Sequence, residues 1–149
     1  MKISKRCQYA LRAVFELGLR KTDQPVKIQE IAGAQNIPPR FLEVILNQLR
    51  HAGFVDSRRG SEGGYMLAQA PEDLTVGQVI RYIQGPFSMT ANDDRGSDER
   101  ESFYGDYAFN QLWENVNTAI SKVCDNTTFA ELIEYEKAKK TASVPNYSI

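Results

Sequence analysis

The chain of 149 residues holds only two cysteines and one histidine, and these shortages narrow what it does. Cys7 and Cys124 stand far apart and without CxxC spacing, which argues against a disulfide framework and a thiolate metal knuckle. The sole histidine, His51, lies near the end of a helical stretch and reads as a polar or phosphate-facing residue rather than a catalyst. Long apolar runs are also missing. The opening MKISKRCQYALRAVFELGLR is interrupted by Arg12, Glu16 and Arg20, so it offers neither a signal-peptide core nor a membrane span of about 18 apolar residues. A soluble cytoplasmic protein is expected. No GxSxG, Walker or Rossmann fingerprint occurs, and Glu62-Gly63-Gly64 is not followed by the GK[ST] of a phosphate loop. The enzyme hypothesis therefore has no residues to stand on.

A net charge of −1 conceals an asymmetry. Residues 1–70 carry eleven Lys and Arg against six Asp and Glu, net +5, whereas residues 71–149 carry seven against thirteen, net −6. A basic first half suits a polyanion, and dimerisation doubles it on one ligand.

The apolar spacing gives the element order. Cys7, Ala10, Leu11, Val14, Phe15 and Leu17 recur at helical intervals over Ser4 to Lys21, and a second helix is expected over Ile28 to Gln35. Asn36 and Pro38-Pro39 close it, and the prolines open a third helix to about Ala52, because a helix's first turn tolerates a missing amide hydrogen. Gly53 then supplies a left-handed stop. Phe54–Ser57 and Gly64–Leu67 read as short strands joined by RRGSEGG. Three helices and a hairpin make a winged helix-turn-helix over residues 1–70, so the fold class is mainly α with a small β wing. In residues 71–140, Thr75 caps a helix ended by Gly85-Pro86, residues 87–106 read as a flexible charged loop, and Thr128 with Glu131 forms a capping box. Between them Phe109, Leu112, Trp113, Val116, Ile120 and Val123 form a stripe too apolar for a lone surface helix, for which a partner subunit is the natural cover. Residues 141–149 read as a flexible tail.

The third helix leaves Arg40, Glu43, Val44 and Asn47 opposite its core side, a mix suited to major-groove edges: carboxylate to cytosine amine, guanidinium to guanine or phosphate, valine to a thymine methyl. Exposed polar faces are common, but the wing adds to this one. Arg58, Arg59 and Gly60 at a hairpin tip suit a minor groove, and Lys2, Lys5, Arg6 and Arg50 suit flanking phosphates. Cys7, on an apolar face, reads as core, and Cys124 beside Asp125 as structural. Asp93, Asp94, Asp98, Glu99 and Glu101 read as a solvated loop rather than a cation site.

MKIS, Tyr9-Ala10-Leu11, IQEIA, PPRFLEVILNQLRHAGFVDSRRGSEGGYML, LTVGQVIRYIQGP and NTTFAEL, in this order, resemble the Rrf-two family of transcriptional regulators over most of the chain. The resemblance implies a homodimer clasped through the long helix near Trp113, with two wings on a palindrome of double-stranded DNA. It places Phe41, Glu43, Arg59 and Gly60 at DNA-contact positions and Arg50 at a phosphate-contact position. Val44 stands where a polar residue is common. Iron-sulfur members of the family carry three cysteines where this chain has residues 87–106, and here there are none, so no metal or other cofactor is expected. The resemblance thus points to the cluster-free cysteine-metabolism type, a repressor of cysteine and sulfur genes. Its tail, through Tyr147, Ser148 and Ile149, is similar to termini that dock into cysteine synthase (O-acetylserine thiol-lyase), where an isoleucine carboxylate mimics the amino-acid substrate; a frayed terminus is the other reading. A thiol-redox regulator using Cys7 or Cys124, and an interaction module without DNA, remain as competing readings.

Overall fold

A computed structural model describes residues 1–20, 23–89 and 103–143. Within them the order is α1 (Lys5–Arg20), α2 (Ile28–Gln35), α3 (Pro39–His51), β1 (Val55–Arg58), β2 (Gly64–Leu67), α4 (Val76–Gln84), α5 (Asp106–Asn126) and α6 (Phe129–Ser143). This is the mainly helical, winged arrangement expected. The acidic residues at 93–101 and the tail residues Tyr147, Ser148 and Ile149 lie outside the described residues.

Local chemistry sets the helix ends. Asn36 takes the left-handed conformation after α2, and Gly53 does the same beyond α3. Thr75 caps α4, its hydroxyl accepting from the Gln78 amide while the Gln78 side chain takes the Thr75 amide. Thr128 and Glu131 repeat the exchange at α6. α6 continues to Ser143, three residues into the segment expected as tail. Thr141 and Ser143 there turn their hydroxyls back onto the Lys137 and Lys140 carbonyls.

The main core lies between α1, α2, α3 and the base of the wing, with Ala10, Val14, Ile31, Leu42, Leu46, Leu49 and Val55 fully buried. It does not stop at residue 70, because Leu74, Val79 and Phe129 belong to the same cluster. Backbone bonds stitch the start of α6 to the approach of α4: the Val76 amide donates to the Thr127 carbonyl at 2.9 Å, and the Phe129 amide to the Leu74 carbonyl at 3.0 Å. The NTTFAEL stretch is therefore a fastening. Phe129 plugs the core, and Ile133 beyond it reaches the α1 backbone at Gly18.

Two residues take places that the local pattern does not announce. Glu16, a polar interruption of the first helix's apolar stretch, is buried: it accepts from Arg20 Nε at 2.8 Å and from Gln35 Nε2 at 2.7 Å, which pins α2 to α1. A buried carboxylate persists because both oxygens are bonded. Phe87, expected in the flexible loop, packs beside Cys7 and Ile80 in a second cluster under α4.

α5 differs from every other helix in having no buried residue. Its C-terminal third is anchored: Ile120 and Cys124 pack on the second cluster, so Ile120 is not part of a free stripe as the periodicity suggested. Arg81 of α4 also grips Asp125 through both terminal guanidinium nitrogens, Nη1 and Nη2, with Nη2 lying 2.8 Å from Oδ2. This grip needs Gly77, where a Cβ would overlap the Asp125 carboxylate. Toward the N-terminus, Phe109 is 59% and Leu112 46% exposed, and Val123 is 67% exposed on the far side.

Candidate nucleic-acid interface

α3 divides cleanly. Leu42, Ile45, Leu46 and Leu49 face the core, whereas Arg40, Phe41, Glu43, Val44 and Arg50 are exposed and Asn47 is half-buried. Paired Pro38-Pro39 start this helix abruptly, so its first turn already carries exposed side chains.

The wing stands next to that face. β1 and β2 pair antiparallel with Val55 opposite Leu67 and Arg58 opposite Gly64, so Arg58 belongs to a strand rather than to the tip. Arg59 and Gly60 are in the turn, closed by the Gly63 amide donating to the Gly60 carbonyl at 3.0 Å. Gly63 is required there, since a Cβ would strike the Arg58 and Gly60 carbonyl oxygens. β2 is also tied to the approach of α2: Val26 and Tyr65 exchange backbone bonds of 2.7 and 2.8 Å. Arg50 Nη1 donates to Ser57 Oγ at 3.1 Å, linking α3 to β1. Lys27, Arg50, Arg58 and Arg59 thus line one cleft between α2, α3 and the wing.

The N-terminal segment is held by fixings that no local pattern announces, and Arg6 reaches α3. Arg6 Nε donates to Gln48 Oε1 of α3 at 2.9 Å. Gln84, at the end of α4, accepts from the Ser4 amide at 2.8 Å and donates to the Lys2 carbonyl at 2.9 Å, holding the backbone around Lys2. Sequence reading missed Gln48, Ser57 and Gln84 because each acts across a tertiary contact; a polar residue in a helix's last turns is too common to signal it. His51 sends Nδ1 back to the Asn47 carbonyl at 2.7 Å and stays exposed.

The chain's donors do not suit an iron-sulfur cluster. Such clusters need soft ligands, chiefly cysteine thiolates, and the two cysteines of the chain are fixed in apolar surroundings. Burial pushes the Cys7 thiol above its ordinary range, and burial followed by the neighbouring Asp125 carboxylate pushes Cys124 up, with Arg81 opposing. Among the described residues no three His, Cys, Asp or Glu side chains gather as a metal site, and no helix is long and apolar enough to cross a membrane.

Residues 3–135 match the family profile described as Rrf2, iron-dependent transcriptional regulator. The chain is 33% identical to the HTH-type transcriptional regulator CymR of Bacillus subtilis, over 95% of this chain and 96% of that protein. The solved structure of CymR, described as the global cysteine regulator of B. subtilis, superimposes with a TM-score of 0.76 over 91% of this chain and 98% of that one. The structure of T. potens IscR does so with a TM-score of 0.75 at 30% identity, over 99% and 95%. With an exposed α3 face, an adjoining wing and a match over most of its length, the chain belongs to the Rrf2 family and is a DNA-binding transcriptional regulator of the CymR type.

Proposed function

We propose that this regulator represses genes of cysteine or sulfur metabolism as a cluster-free homodimer. The observation that carries the DNA-binding part is the joining of the exposed α3 residues and the Arg59 turn on one basic surface, through the Arg50–Ser57 and Val26–Tyr65 ties. In this reading α3 enters the major groove with Arg40, Glu43, Val44 and Asn47 toward base edges, and Arg58, Arg59 and Gly60 approach the minor groove. Lys2, Lys5, Arg6 and Arg50 lie toward phosphates. The apolar N-terminal part of α5, with Phe109, Leu112, Trp113 and Val116, joins a second copy and sets the half-site spacing. The cysteine assignment is supported by the 33% identity to CymR over nearly the whole chain and by the thiolate-poor composition.

Control comes, in this proposal, from cysteine synthase engaging the carboxylate of Ile149, with Tyr147 and Ser148 beside it. Calorimetric titration of the intact chain against cysteine synthase tests it: binding is expected, and removal of Ile149 abolishes it. Equal binding without Ile149, or none by the intact chain, sinks this mechanism. A thiol switch is less well supported, because both thiols are held protonated at neutral pH and protonated thiols attack oxidants slowly. A Cys7→Ser, Cys124→Ser protein is therefore expected to bind DNA and to answer peroxide no differently from the parent in a gel-shift assay.

A further inference from the structure

Phe41 and Val44 are 49% and 55% exposed on the α3 face that also carries Arg40, Glu43 and Arg50. Single exposed apolar residues are ordinary, but these two are contiguous. With Tyr9, Ile45 and the aliphatic stems of Lys5 and Arg6 they line an open, largely apolar dent of about 440 Å3 between α1 and α3. Its rim is cationic. The Lys5 ammonium lies 5.9 Å from the Tyr9 ring centre, the Arg40 guanidinium 4.9 Å from that of Phe41, and Arg6 is held by Gln48.

An apolar floor lined by Lys5 and Arg6, with Arg40 over its Phe41 ring, fits a polyanion that carries an apolar group between its charges. In the major groove of duplex DNA the thymine C5-methyl is that group, with phosphates on either side to meet the cations. Side chains three apart on a helix stand about 5–6 Å from each other, and base pairs rise about 3.4 Å. The floor therefore spans between one and two base steps.

We propose that Phe41, Val44 and Tyr9 form a thymine-methyl reader, which makes them specificity-determining residues for the operator. The inference rests on α3 entering the major groove and adds a sequence preference: thymines opposite the first half of α3 in each half-site. Tyr9 widens the reading surface from one helix to two, since α1 supplies the wall against which the methyl packs.

The test uses the full chain and duplexes recovered by selection from a random pool. Each thymine of a recovered site is replaced in turn by deoxyuridine, which removes the methyl and leaves the hydrogen-bonding edge unchanged. One or two thymines per half-site are expected to weaken binding about four-fold when replaced, the effect of one buried methyl-sized group. A Phe41→Ala, Val44→Ala variant is expected to bind the thymine and deoxyuridine duplexes alike; both side chains are exposed, and an unchanged melting temperature verifies its fold. Tight, salt-sensitive binding that ignores every deoxyuridine, or a variant that still discriminates, overturns the reader while leaving DNA binding intact. Failure to recover any site overturns the placement of α3 and the reader with it.

Discussion

α1–α3 with the wing, and the N-terminal part of α5, are both helical and both carry apolar stripes, yet one is packed and the other bare. In the first, Ala10, Val14, Ile31, Leu42 and Leu49 meet from three helices and are fully buried. In the second, Phe109 and Leu112 stay about half exposed among the described residues, and no residue of α5 is buried. Helical periodicity is the same signal in both. The contrast teaches that an amphipathic stripe identifies a surface to be covered, while the chain's topology decides whether the cover is intramolecular. Among the described residues α5 is tied to the body through its second half, by the Met89 amide donating to Asn117 Oδ1 at 2.8 Å, Arg81–Asp125, Ile120 and the Thr127–Val76 backbone bond.

Breaking the proposed intermolecular cover has the largest expected effect. A Leu112→Glu, Trp113→Glu variant is expected to fall from dimer to monomer in light scattering and to lose about a hundred-fold or more in affinity for paired half-sites. Its helical content should hardly change, because these positions are not core. A dimeric variant would place the interface elsewhere.

Next comes the packed region. Glu16→Ala leaves Arg20 and Gln35 without their central acceptor and is expected to cost about 2 kcal/mol in urea unfolding. A change of a few tenths would mean that apolar contacts alone hold α2 on α1. Arg59→Ala should spare stability and weaken DNA binding about ten-fold, with the slope of affinity against salt falling by about one; anisotropy titrations at several salt concentrations measure both.

The smallest effect sharpens the fastening of α5. The Arg81 guanidinium, chiefly by hydrogen bonding, holds the Asp125 carboxyl below the usual carboxylate range. A depressed folded-state value contributes stability that is present above the unfolded value, about 3.9, and is lost as pH falls through the folded one. Asp125→Asn is thus expected to melt slightly below the parent at neutral pH, with the gap closing in acid. A gap independent of pH would show that packing, not charge, fastens the helix.

Much of this was legible because it is local. The Thr75–Gln78 and Thr128–Glu131 boxes, the left-handed Asn36 and Gly53, and the Pro-Pro start of α3 each depend on a few adjacent residues, and the alternation of Leu42, Ile45, Leu46 and Leu49 fixes which side of α3 faces out. What the pattern missed is non-local. Glu16 appears in the sequence only as a break in an apolar stretch, and nothing local announces its burial; the approach of Gln35 from α2 and Arg20 from the next turn makes that burial tolerable. Phe87 reads as loop because its neighbours are polar and aperiodic, and Ile120 reads as part of a free stripe because periodicity cannot tell one cover from another.

The wing and the exposed face of α3 follow from the sequence by itself: turn glycines, proline starts and exposed side-chain types are properties of short segments whose backbone preferences are intrinsic. Tertiary structure alone decided that Tyr9, Lys5 and Arg6 of α1 share a dent with Phe41 and Val44, that Gln84 steadies the backbone at Lys2, and that α5 is tied down through Asn117, Ile120 and Asp125 in its second half. Those outcomes depend on where separate helices meet. Such meetings are set by the summed packing of the core, which no short stretch of residues encodes.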